Sequence, residues 1–361
     1  MQDPLFPDDP PGDVTTAPSA GRTTPRAKTG GAKEAASVRP EPPHPADVEL
    51  AAALPLLARL GTSSWNSPGW KGLVWEGEYS ESQLAKSGLQ AYARHPLFRT
   101  VSLDRAFYRP LTASQYAAYA AQVGDDFRFV VKAPAQVTDA TVRGKHGQAV
   151  QANPDFLSAE LAVQTFAQPA SHGLQNKLGV LVFQISPLPA ALHTRIPELL
   201  QRMALMLQAL PSLTEQAPDA VVAVEVRDPV WLDPEFAPAF AQLLRETGAT
   251  YCLGLHAKMP PIEGQLPMLR ALWPGPLVCR WNLNRLHGAY GYEEAAKLYL
   301  PYDKLVDVDL DTRAKLAKVI NATTKAGHRA YVTVNNKAEG CAPLTVAGLA
   351  GEISGQRSAS K

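Results

Sequence analysis

The chain has 361 residues, 45% of them hydrophobic, and carries 35 basic against 34 acidic side chains for a formal net charge of +1. That balance supplies no overall field for DNA or an anionic membrane, and no stretch approaches the roughly 18 consecutive apolar residues of a membrane span. The three cysteines, Cys252, Cys279 and Cys341, are few, odd in number and set in apolar segments, which predicts reduced thiols filling the core of a cytoplasmic protein.

Residues 1–45 begin MQDPLFPDDPPGD, without the basic and apolar regions of a secretory leader. They contain ten prolines and almost no large apolar side chains, too little to offset the entropy of ordering. A disordered tail is expected over 1–45, a single folded domain over 56–350, and a flexible C-terminal tail over 351–361, which ends GQRSASK.

Inside the domain, short apolar runs alternate with amphipathic stretches, the signature of repeated βα units. Strands are expected at 58–64, 99–104, 127–132, 179–184, 220–227, 250–256, 276–282 and 329–335. Helical stretches fall at 81–94, 113–123, 155–167, 190–210, 234–247, 293–299 and 312–326, with a short last one after Pro343. This is the pattern of an α/β TIM-type (β/α)₈ barrel. An open doubly wound sheet would carry a glycine-rich phosphate loop after its first strand, and GAYG at 288–291 is not one. The long connection after the third strand predicts an extra loop around 142–153 projecting from the barrel.

Strand parity sorts the side chains, since alternate residues face the helices and the barrel axis. In the fifth strand Val222, Val224 and Val226 form the helix-facing set, leaving Ala223, Glu225 and Arg227 for the axis. The same sorting turns inward Ser102, Asp104, Lys132, Gln184, His256, Arg280, Asn282 and Asn335, each at a strand's C-terminal end. An unpaired charge there costs several kcal/mol, so Glu225 must meet a cation such as Lys132, Arg227 or Arg280. Two readings fit: an ionic network that closes the barrel, or a ligand site at the face where barrel enzymes place theirs.

The segments GTSSWNSPGW (61–70), FYRP (107–110), FRFVVKAP (127–134), KLGVLVFQISP (177–187), AVEVRDPVW (223–231) and VNNKAEGCAP (334–343) resemble those of the domain-of-unknown-function 72, or YecE-like, family, over roughly residues 60 to 350. The resemblance implies a TIM-type barrel without an established activity. It implies site positions at Trp65, Tyr108, Lys132, Gln184, Glu225, Arg227, Trp231, Arg280 and Asn335. The chain departs from the family pattern at Ser102 and Asp104, where Glu and Asn are usual, and at Asn282 and Leu283, where a His-Gly pair is usual. Asp139 follows Thr138 where the family often has His. These departures bear on any acid–base chemistry shared with the family.

Asp104, Glu225 and His256 are the plausible metal ligands, but Lys132, Arg227 and Arg280 would crowd a cation with like charge, so neither a metal nor another cofactor is expected. No G-x-S-x-G elbow supports a serine nucleophile. The basic trio favours a small anionic ligand carrying phosphate, nucleotide or carboxylate, bound also by Trp65, Asp104, Tyr108, Gln184, Trp231, His256, Asn282 and Asn335. Glu225 and Lys132 are the catalytic candidates. The alternative is a non-catalytic scaffold that binds nucleic acid or protein. Nothing in the sequence fixes an oligomeric state.

Overall fold

The computed structural model describes residues 37–144 and 148–355. Its centre is a closed parallel barrel in the order β1-β10-β9-β8-β7-β6-β3-β2, formed by β1 (Ala58–Thr62), β2 (Thr100–Leu103), β3 (Arg128–Lys132), β6 (Leu178–Gln184), β7 (Val221–Glu225), β8 (Thr250–Leu255), β9 (Leu277–Trp281) and β10 (Ala330–Val334). Helices surround it, giving the α/β TIM-type barrel that the alternation predicts. The long connection after β3 holds an antiparallel hairpin, β4 (Thr141–Arg143) and β5 (Ala149–Ala152).

The barrel interior is layered. Val130, Val180, Val182, Ala223, Cys252, Val278 and Tyr331 form a buried apolar middle storey, which excludes water between two polar ends. All lie on the inward parity of their strands. At β3 and β6 the register shifts, Phe129 pairing with Leu178 but Val130 with Val180. Gly179 occupies the shift because a Cβ there would lie 2.8 Å from both Arg128 Cβ and the Tyr331 ring. The bulge brings Lys132 and Gln184 onto one inward face at the C-terminal end.

Two boundaries and one helix differ from the sequence reading. Residues 37–45 belong to the packed structure: Val38 is buried, Glu41 N–H donates to the Val74 carbonyl at 2.9 Å, and Pro40 bridges to Trp75. A helix over Pro45–Ala53 then leads into β1. Its apolar side chains are too scattered for a periodic signal, so the sequence pattern leaves residues 46–55 unassigned. At the other end the last helix continues through Ser354. The rest of the two expected tails, 1–36 and 356–361, lies outside the described residues. The sequence pattern gives no signal for the helix Ile262–Ala271, because Gly264 and Pro267 interrupt it, yet Ile262, Gln265 and Met268 keep one face buried.

Candidate functional site

The inward side chains at the C-terminal strand ends meet in one ionic network. Glu225, fully buried at the end of β7, has Arg280 NH1 2.7 Å from Oε2 and Arg227 Nε 2.8 Å from Oε1. The Arg227 contact is an ion pair without a well-directed N–H. Arg280 NH2 also donates to Asp104 Oδ2 at 2.6 Å, and Ser102 Oγ donates to Asp104 Oδ1 at 2.6 Å. Both guanidiniums donate to Gln184 Oε1, at 2.9 Å from Arg227 and 3.0 Å from Arg280. Asn282 Nδ2 reaches Glu225 Oε1 at 3.5 Å.

Above this network opens a cleft of about 790 Å³. Its floor includes Asp104, Lys132, Gln184, Arg227, Arg280 and Asn282. Tyr108, His256 and Asn335 line it too. The hairpin brings Thr141, Val142, Arg143 and Gln151 to its side, so the projecting loop expected near 142–153 forms a wall of the cleft; residues 145–147 lie outside the described part. Asp139, buried, fixes that wall by accepting from Thr141 N–H, Thr141 Oγ and Arg143 Nε, the last at 2.7 Å.

Lys132 differs from the other cations. Its ammonium lies 3.4 Å from the Phe107 ring centroid, and among the described residues no carboxylate comes within ion-pair distance of it. Burial pulls its pKa down to about 7, Asp104 and Glu225 restoring part of the loss while Arg280 and Arg227 oppose them. Glu225 behaves oppositely: burial would raise it, but the charges of Arg227 and Arg280 prevail and hold it below the usual carboxylate range. For Arg280 the opposition of burial is overcome by Asp104 and Glu225, and its pKa rises. His256 is pulled down to about 3 by burial and then by Arg227, so it is neutral, with Nδ1 accepting the Lys258 backbone N–H at 3.0 Å.

Three of the residues assigned from sequence lie away from the cleft surface. Trp65 and Trp231 are not cleft residues: Trp65 packs edge-on against Tyr119 and Trp231 against Phe240, both buried. Loop aromatics have no parity to orient them, and these two settle into the core. Glu225 is also set apart from the cleft surface. It lies beneath the cleft floor, and both oxygens are held by guanidiniums that keep it charged. It positions Arg227 and Arg280. Asn335 has a partly structural task as well, since its Oδ1 accepts from Lys337 N–H and its Nδ2 donates to Ser63 Oγ at 2.8 Å.

Sequence reasoning missed Phe107 under Lys132, and Tyr292, which hydrogen-bonds Arg227 and lies 5.1 Å from the His256 ring. Both sit in helices that follow strands, outside the reach of strand parity, although Phe107 belongs to the FYRP segment. Among the described residues no three His, Cys, Asp or Glu side chains gather as a metal site, and no helix is long and apolar enough to cross a membrane.

The model of a family described as a protein of unknown function, DUF72, matches residues 59–360. Two solved structures share the fold. A DUF72 family protein from Enterococcus faecalis is 17% identical, with a TM-score of 0.51 over 82% of this chain and 95% of that one. A DUF72 family protein from Thermotoga maritima is 19% identical, with a TM-score of 0.51 over 81% of this chain and 97% of that one. No curated protein matches the chain.

Proposed function

The chain belongs to the DUF72 family, and from that premise we propose that it is a metal-independent enzyme whose barrel-mouth cleft takes a small anionic ligand, with Lys132 as its reactive group. One observation carries the reading: the Lys132 amine faces a cleft of about 790 Å³ with no carboxylate in ion-pair range among the described residues. Arg227 and Arg280 sit on the same floor. A phosphate or carboxylate placed there gains charge-assisted hydrogen bonds. It also restores the ammonium form of Lys132, whose pKa burial has lowered.

Arg280 contributes mainly through the field, because both terminal nitrogens are already engaged by Glu225, Gln184 and Asp104. Arg227 is the better direct contact, being anchored by Glu225 and Gln184 at the cleft surface. An amine that titrates near neutrality serves as a general base or nucleophile, whereas an ordinary lysine is almost wholly protonated. Glu225 and Asp104 share none of that work, since arginines hold them both.

That commitment of the carboxylates favours a second reading, a scaffold that binds an anionic group, a nucleic-acid phosphate among them, without turnover. The substitutions Lys132→Arg and Lys132→Met separate the two. Sulfate binding followed by calorimetry should survive K132R and fall in K132M, whereas turnover in a metabolite screen should be lost in both. Undiminished sulfate binding by K132M would remove Lys132 from the site, and turnover surviving K132R would leave only the binding role.

A further inference from the structure

We propose that Lys132 is a carbonyl-capturing nucleophile, forming an imine with an aldehyde or ketone that also bears a carboxylate or phosphate. The inference rests on the anion-binding reading above and names the substrate class of the same cleft.

Four features point to it. The amine is covered on one side by the Phe107 ring, 3.4 Å from its centroid, and borders the cleft on the other. No carboxylate among the described residues pairs with it directly, and burial, aided by Arg280 and Arg227, opposes its protonation more than Asp104 and Glu225 favour it. Lys132 pairs in register with Val182, which puts Gln184 one inward step further along the neighbouring strand. Because two guanidiniums donate to Gln184 Oε1, its NH₂ end is left for the cleft, where it can donate to a carbonyl oxygen. Arg227 then takes the anionic group of the same molecule.

The step balances. The nitrogen lone pair attacks the carbonyl carbon and a C–N bond forms, while the C=O π electrons pass to oxygen. Both amine protons end on that oxygen, which leaves as water as the C=N bond closes. No oxidant or metal enters, and the imine supplies an electron sink for breaking or forming a bond at the adjacent carbon.

Borohydride trapping tests the proposal on the full-length protein. Pyruvate supplies the carboxylate arm, glyceraldehyde 3-phosphate the phosphate arm and glyceraldehyde the uncharged control, each with sodium cyanoborohydride near neutral pH, and peptides are read by mass spectrometry. The Lys132 peptide should be labelled about tenfold or more above any surface lysine, reflecting its larger free-amine fraction. At least one charged probe should exceed glyceraldehyde, sulfate should suppress it, and K132R should lose the label. Absence of selective Lys132 labelling from both charged probes, with sulfate binding intact, would overturn the imine and leave the anion site standing. Absence of both labelling and sulfate binding would sink the two together.

Discussion

The two ends of the barrel carry the same kinds of side chain and use them differently. At the N-terminal end Arg59 pairs with Asp126 at 2.9 Å, Arg128 with Asp219 at 2.8 Å, and Arg329 with the other oxygen of Asp219. Backbone carbonyls take further bonds: Arg59 donates to Asp126 O and Arg128 to Phe127 O. Each of these three arginines has its carboxylate. At the C-terminal end Arg227 and Arg280 are as firmly paired, but Lys132 is not, and it faces a cleft. Charge buried in a barrel is therefore no sign of a site in itself. A site shows where the pairing is incomplete at a surface that a ligand can reach.

The largest effect is expected at Glu225. Glu225→Gln should destabilise the fold by about 3–5 kcal/mol, because it leaves two buried guanidiniums short of a counter-charge. Chemical denaturation would show it, and a loss below about 1 kcal/mol would mean that the network relaxes easily. At the opposite end Asp219→Asn should cost about 2–3 kcal/mol, since it weakens bonds from two arginines, while leaving sulfate affinity unchanged. A fall in sulfate affinity would show that the two ends are coupled through the apolar storey.

The packed segment before the barrel gives a smaller effect. Deletion through residue 45 should lower stability by about 1–2 kcal/mol relative to deletion through residue 36, from the lost burial of Val38 and the Glu41 to Val74 bond. Equal melting temperatures for the two truncations would contradict the packing. The smallest effect on stability is that of Lys132→Met, expected to stabilise the fold by about 1 kcal/mol by replacing a desolvated amine with an apolar chain. The same change should weaken sulfate binding tenfold or more, about 1.4 kcal/mol. A loss of stability in K132M would mean that the amine serves the fold.

The eight strands and the inward residues were legible because a two-residue period and strand ends are properties of local sequence. Depth was not. Glu225 and Arg227 share a parity and differ by two positions, about 7 Å along a strand, yet one lies sealed under the floor and the other lines the cleft. Parity assigns a face and leaves height along the axis to the packing of the loops. Trp65, Trp231, Phe107 and Tyr292 lie beyond strand ends, where chain path decides whether an aromatic ring meets the core or the cleft. The helix over Ile262–Ala271 was hidden by its proline and glycine, which tertiary burial of one face overrides.

Proton uptake on anion binding tests the central claim most directly. Burial draws the Lys132 pKa down to about 7, with Asp104 and Glu225 opposing the fall and Arg280 and Arg227 adding to it, and an anion beside it raises that pKa. Affinity is therefore greatest below pH 7, where Lys132 is already protonated, and falls as pH rises through the free-state pKa. Sulfate is the suitable probe because its own protonation does not change near neutrality. Calorimetric titration in buffers of different ionisation enthalpy, slightly above pH 7, should show a fraction of a proton taken up per sulfate bound, absent in K132M. Sulfate binding with no proton uptake, or with the same uptake in K132M, would contradict the account.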